Sequence, residues 1–448
     1  MLQFGTRRAF LVSSPAAVEE CLTTNDVAFA NRPHLMAGKH LGYDYTTLSW
    51  SSYGDRWRNL RRIASLELLS AHRLQTLNYI RVEEVRLLAK KVCHKAVDGV
   101  VEMKSMFFEL MLNVMMMMIA GKRYYGDSVE EVEEAGRFKE IVMDTFVLME
   151  TTNVSDYLPW WKWVGGRELE KKMVALRGKR DGFMQGLLDE HKRKLKVAVD
   201  GGCGESGMEE KEEKKKNLIE VLLVLQEKEP EYYKDEVIKG LMQVLLSAGT
   251  DTSSGTMEWM LSLLLNYPET LKKAQAEIDN YVGEDRLINE SDISKLPYLR
   301  CIINETMRMY PPGPLVFHES SKDCKVGGYN IPSGTMLLMN LWAMQNDPNN
   351  WEDPNKFKPE RFEGLDGSRD GYRLMPFGSG RRGCPAENLA MRMVGLTLGT
   401  LIQCFQWERT TEEMIDMTEG KGLTMPKAKP LIAKCEPRGN MAKLLFQM

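Results

Sequence analysis

The stretch Phe377-Gly378-Ser379-Gly380-Arg381-Arg382-Gly383-Cys384-Pro385-Ala386 decides how this sequence reads. Gly378 and Gly380 permit backbone torsions that other residues resist. They allow a tight loop whose N–H groups approach the sulfur of Cys384. Pro385 suits the first turn of a helix, and the run behind it predicts that helix over residues 385–405. Its positive end favours a thiolate at Cys384, with Arg382 as a cation beside it. A structural cysteine after a turn is the plainer alternative. Against it, the five fixed residues Phe, Gly, Gly, Arg and Cys would match by chance in on the order of one chain in ten thousand.

Outward from this loop the pattern is mainly helical, with a small β portion near the ends. Residues 2–13 read as extended. Pro15 then opens a helix over 16–22, capped by Ser14. Residues 31–54 have no stable period and read as a long loop, followed by helix at 55–69 and 70–91. The helix 107–120 carries Met115, Met116, Met117 and Met118, a run that reads as adaptable core filler. Residues 200–217 are Gly, Glu and Lys, a charged surface loop rather than a linker, so 1–448 is expected to form one domain. Long helices are predicted at 235–267 and at 291–310, the latter stopped by Pro311-Pro312. Strands follow at 325–330 and 335–340, then loop at 347–371, and short strands and turns in the tail.

Composition excludes several classes. Lys and Arg number 60 against 63 Asp and Glu, a net charge of −3, which gives no reason to expect a nucleic-acid partner. The longest uncharged run, residues 326–346, has 21 residues but is interrupted by Gly, Pro, Ser and Asn, and the uninterrupted helix-like run 393–407 has 15. A spanning helix needs roughly 20, so none is expected, and no signal peptide stands at the start. The eight cysteines contain no C-x-x-C pair and are too sparse for a disulfide scaffold.

Two further motifs lie upstream. Glu305 and Arg308 are three apart on one helix face and can pair. Glu83/Arg86 and Glu134/Arg137 share that spacing, so the pair alone is a weak signal. In Ala248-Gly249-Thr250-Asp251-Thr252-Ser253, polar residues interrupt an apolar helix, and their hydroxyls can bond back one turn and bend it.

The cysteine segment closely resembles the haem-binding loop of cytochromes P450, with Ala386 where the family usually has Gly. The resemblance runs through Glu305-Thr306-Met307-Arg308, Tyr310-Pro311-Pro312 and Pro359-Glu360-Arg361-Phe362, and covers essentially the whole chain. It implies the cytochrome P450 fold, haem b as cofactor, and Cys384 as the thiolate ligand of its iron. Glu305, Arg308 and Arg361 match the family's structural triad. Asp251 and Thr252 match the acid–alcohol pair that delivers protons during oxygen activation, with small Ala248 and Gly249 leaving room for oxygen. Trp57, Arg61 and His318 match positions that contact the haem propionates, and Phe377 and Arg382 belong to the haem loop.

Details resemble plant family 81, which includes isoflavone 2'-hydroxylase-like enzymes: His318-Glu319-Ser320-Ser321-Lys322-Asp323-Cys324, Gly327-Gly328-Tyr329-Asn330-Ile331-Pro332 and Met417-Thr418-Glu419-Gly420. The resemblance implies a monomeric monooxygenase that inserts one oxygen atom of O2 into a small apolar or phenolic plant metabolite. Its electrons come from NADPH through cytochrome P450 reductase, on the cytosolic face of the endoplasmic reticulum. Residues 38–51, 312–317 and 421–425 are expected to line the pocket. Tyr43, Tyr45, Phe317 and Leu423 suggest an apolar, partly aromatic cavity. Family members begin with a membrane anchor, a hinge and an A-helix, whereas this sequence starts in the first strand, which suggests a truncated product. Two other readings stand beside the monooxygenase. One is a haem-poor, inactive product. The other is a peroxide-rearranging relative, disfavoured by the presence of Asp251 and Thr252.

Overall fold

In the computed structural model the described residues are all but 97–98, 127–131, 152, 165–166, 201–215, 365–370, 440 and 448. The charged segment 200–217 thus falls largely outside them. Along Arg7–Val12, Ala9, Phe10 and Val12 are buried while Leu11 is exposed. That strand pairs antiparallel with Leu2–Phe4 and parallel with Met336–Asn340, whose other edge takes Leu315–Glu319 antiparallel. The start of the chain is thereby bonded to a segment more than 300 residues away, with Ala9 opposite Met336. The single strand expected at 325–330 is instead a hairpin of Cys324–Val326 and Tyr329–Ile331. Gly327 and Gly328, at φ +56° and +80°, supply the left-handed turn that this reversal requires.

The helices form the bulk. Met103–Ala120 packs against the long helix Asp235–Asn266. Met115, Met116 and Met118 are buried there, as core filler should be. By length and composition Met103–Ala120 is apolar enough to cross a bilayer, which counting uncharged runs did not anticipate, but most of it is buried in the protein core. The Ser14 side chain makes no cap bond to the helix Pro15–Leu22. The region 31–54 contains a short helix, Met36–His40. The helix expected over 55–69 ends as α at Ile63 and continues as a π turn through Leu68. Ser70 then caps a new helix by accepting from Arg73 N at 3.3 Å. The helix expected over 291–310 is split into Glu290–Ile293 and Pro297–Met309, because Pro297 holds Leu296 out of helical torsions. The tail adds a helix, Met441–Gln447, to its strands.

Behind the cysteine loop the expected triad is assembled. Glu305 and Arg308 are fully buried and bidentate, with Nε–Oε2 2.7 Å and Nη2–Oε1 3.0 Å. Arg361 Nε reaches Glu305 Oε1 at 3.0 Å. Arg308 also donates to the carbonyls of Gln345 and Pro354, and Gln345 accepts from Met375 N. This buried network ties Pro297–Met309 to the chain that leads into the loop.

Candidate haem-thiolate site

The loop around Cys384 is closed by its own backbone. Cys384 N donates to Phe377 O at 2.8 Å, and Gly383 N to Gly380 O at 3.1 Å. Gly378 and Gly380 both sit at φ +67°, as the tight loop requires. At Gly380 there is a second reason for glycine, since a Cβ would meet Asp26 Oδ1 at 2.6 Å. The helix that follows spans Glu387–Cys404 and so begins after Pro385. Its approach gives the sulfur one N–H, from Ala386, at 3.4 Å. Cys384 is the exposed cysteine among the described ones, yet protein surrounds it closely, as it does a group that lines an internal hollow. Burial therefore raises the thiol's pKa, although the Ala386 N–H and Arg61 act to lower it. The expected thiolate bias of the protein alone is outweighed by desolvation, and the cation facing the sulfur is Arg61 rather than Arg382.

Arg382 and Trp57 are otherwise engaged. Arg382 donates from Nε to Ala30 O at 2.6 Å and from Nη2 to Ser51 O at 2.5 Å. Its guanidinium lies 4.4 Å from the Trp57 ring centre, and Trp57 Nε1 donates to Leu48 O at 3.2 Å. The indole N–H expected to hold a propionate is thus bonded to a carbonyl, and these two side chains fix the loop that walls the site. Arg61 makes no hydrogen bond or ion pair among the described residues. His318 Nδ1 is buried without a partner. Burial, then Arg32 and Arg382, hold this imidazole well below its ordinary pKa, hence neutral.

Arg32 is a site residue that sequence reasoning missed. It donates to Phe317 O, next to His318, and burial pushes it down to about 10. Arg382 is pushed to about 9, by burial first and then by Arg32 and Arg61. Three mutually repelling guanidiniums with no ion pair among the described residues, one orphaned imidazole nitrogen and an accessible thiol form a donor set that fits haem, a dianionic ligand with a metal centre.

On the long helix, Ala248 is exposed, so the helix borders a hollow at mid-length. Thr252 Oγ1 bonds back to Ala248 O at 2.8 Å. Asp251 Oδ2 accepts from Thr424 Oγ1 at 2.6 Å, and burial raises its pKa against the opposing effects of Thr424 and Lys104. Gly249 has a role other than making room for oxygen. A Cβ there would meet Met115 Sδ at 2.7 Å, so its smallness serves close packing on Met103–Ala120.

Asp251, Thr252 and Thr424 border two cavities. One, of about 530 Å³, carries charged side chains in a largely apolar wall, among them Lys104, Glu258 and Lys427. The other, of about 240 Å³, is mostly apolar, with Leu41, Trp50, Phe146, Ala248 and Leu423. Leu423 thus lines a cavity as expected. Tyr43 and Tyr45 line neither. They lie with Asp44 in a left-handed turn, Tyr43 bonded to Asp181 and Tyr45 stacked on His34 at 4.3 Å. Phe317 also lines neither.

A helical protein with a cysteine loop, a cluster of arginines and polar residues midway along its central helix has the features expected of a haem-thiolate enzyme. The family profile described as Cytochrome P450 matches residues 1–433, and the chain belongs to that family. It is 48% identical to Cytochrome P450 81Q32 of Catharanthus roseus, over 100% of this chain and 86% of the relative. It is 46% identical to the isoflavone 3'-hydroxylase of Medicago truncatula, over 97% of this chain and 85% of the relative. To the (+)-piperitol/(+)-sesamin synthase of Sesamum radiatum it is 45% identical, over 100% and 85%. Among solved structures, a zebra fish cytochrome P450 with progesterone superposes at TM-score 0.80 and 23% identity, covering 97% of this chain and 95% of that one. The enzyme is a cytochrome P450 monooxygenase, a haem-binding oxidoreductase that needs O2, a substrate and a redox partner.

Proposed function

We propose that residues 1–448 form one catalytic domain that oxidises a small apolar or phenolic plant specialised metabolite, with haem b held by Cys384. Electrons come from NADPH through cytochrome P450 reductase, at the cytosolic face of the endoplasmic reticulum. The substrate class is supported by relatives whose names specify isoflavone hydroxylation and lignan synthesis. Bound haem supplies oxygen activation, aided by electron donation from its thiolate ligand.

The remaining roles belong to this chain's side chains. Arg61, Arg32 and His318 hold the acidic edge of the cofactor, while Arg382 and Trp57 fix the wall that carries Ala30, Leu48 and Ser51. Thr252 presents a hydroxyl proton, held at present by the Ala248 carbonyl. Asp251, biased by burial toward its protonated form, is placed one residue away to replace that proton. Apolar walls at Leu41, Trp50 and Phe146 keep water from the substrate.

The observation that carries this reading is the accessible Cys384 thiol near guanidiniums that have no counter-charge among the described residues. The test is turnover under ¹⁸O2 with reductase and NADPH, against a panel of isoflavones, lignans and indoles. One labelled oxygen per product molecule is expected. Products carrying only unlabelled oxygen, or formed equally without O2, would overturn the proposal.

A further inference from the structure

One cation stands without a counter-charge in the wall of the apolar cavity. Arg180, on the helix Arg167–Asp200, is only 6% exposed and has no hydrogen-bond or ion-pair partner among the described residues. Burial lowers its pKa to about 10, so it keeps its charge at neutral pH. Its sequence neighbour Asp181 does not compensate it. That carboxylate takes Lys239 Nζ at 2.6 Å and the Tyr43 hydroxyl at 2.8 Å on the same oxygen. The Tyr43 hydroxyl in turn accepts from Gln243 Nε2 at 2.9 Å. An isolated buried guanidinium is costly unless something pairs with it, and among the described residues nothing does.

What the cavity offers is space of about 240 Å³. Arg180 and Gln243 line one part of it, and Ala248, Asp251 and Thr252 another. Gln243, Ser247 and Asp251 are each four apart, so one face of the long helix runs between the two parts. At 1.5 Å per residue, Ala248 and Thr252 lie roughly 8–14 Å along the axis from Gln243. Trp50, Phe146 and Leu423 supply apolar surface in the same wall.

We propose that Arg180 is a specificity-determining residue that binds an anionic oxygen, carboxylate or phenolate, of an aromatic substrate whose body extends along the long helix toward Ala248 and Thr252. This deepens the monooxygenase reading and rests on it. The anion supplies the counter-charge that the fold omits, and the aromatic body fills the apolar length toward Thr252. Desolvation of the anion is offset by a charge-assisted hydrogen bond in dry surroundings.

The test is calorimetric binding to the haem-loaded protein of biphenyl-4-carboxylate and of its methyl ester, a rigid pair that differs in charge. The wild type is expected to bind the carboxylate at least roughly tenfold more tightly than the ester. Arg180→Met should remove that preference and leave ester binding within about twofold, and Arg180→Lys should retain part of it. Arg180→Met should also melt no lower than wild type, because it deletes an uncompensated buried charge. Equal binding of acid and ester by the wild type would overturn the proposal. So would equal weakening of both by Arg180→Met, or a failure of that variant to fold, each of which makes Arg180 structural. The carbon monoxide difference band, recorded on the same samples, separates the two readings. Its absence from wild type would speak against the haem-thiolate site, whereas its presence without acid preference would speak against Arg180 alone.

Discussion

Asp251 and Thr252 show what a side chain's surroundings add to its identity. The acid is partly desolvated and bonded to Thr424, and the alcohol is parked on the Ala248 carbonyl. Thr252→Ala and Asp251→Asn should still bind haem and substrate but deliver protons poorly. NADPH consumption should then uncouple from product, with peroxide released, as a peroxide assay beside product analysis would show. Unchanged coupling in both variants would leave Thr252 only its bond back to the Ala248 carbonyl. Asp251→Asn carries a second expectation. Burial raises the folded pKa above the ordinary 3.8, so from that pH upward the folded state must ionise a carboxyl that resists it. Removing that charge should keep the melting temperature at pH 7 at or above wild type, and the advantage should vanish as pH falls to 3.8. Residues within dense motifs, such as Cys384, Asp251 and Thr252, were legible in the sequence because several fixed positions vouch for one another. Arg32 and Arg180 were not. Each is a lone arginine in unremarkable surroundings, and only the folded chain shows that one abuts Phe317 and that the other has no counter-charge among the described residues.

At the level of elements, the cysteine loop separates two demands on glycine. Gly378 and Gly380 share φ +67°, but around Gly378 the nearest atom to an added Cβ is 3.8 Å away, whereas at Gly380 Asp26 Oδ1 and Leu22 O stand at 2.6 and 3.1 Å. Gly378→Ala should therefore cost about 1–2 kcal/mol, the torsional part alone. Gly380→Ala should cost about 1–3 kcal/mol more, because the neighbouring chain must move. Urea unfolding of the two variants checks the order, and equal costs would show that the 22–26 segment yields freely. Long elements were readable from period, as at Asp235–Asn266, but the break that Pro297 imposes was not, because the apolar pattern on both sides invited one continuous helix. A packing demand on Gly249 went unread for a reason that sequence hides. Its neighbour, Met115, lies on another helix.

The whole molecule depends on contacts that span long stretches of chain. Glu305 holds Arg308 and Arg361, which in turn bind carbonyls from residues 345–356. Glu305→Gln would leave two guanidiniums in a buried network without their carboxylate. A loss of about 3–5 kcal/mol is expected, with lower haem occupancy. Denaturant titration followed by haem absorbance measures both, and a variant as stable as wild type would show that the carbonyls alone suffice. The mainly helical architecture was legible because helical period and proline stops recur along the chain. The strand order was not, since the parallel pairing of Arg7–Val12 with Met336–Asn340 leaves no local mark. The account turns on Cys384 as the thiolate ligand, and the carbon monoxide difference spectrum tests this most directly. Wild type and the Cys301→Ser, Cys404→Ser and Cys435→Ser variants should all give the red-shifted band of a haem-thiolate protein, and Cys384→Ser should give none. A band that survives in Cys384→Ser and disappears with another cysteine would contradict the account.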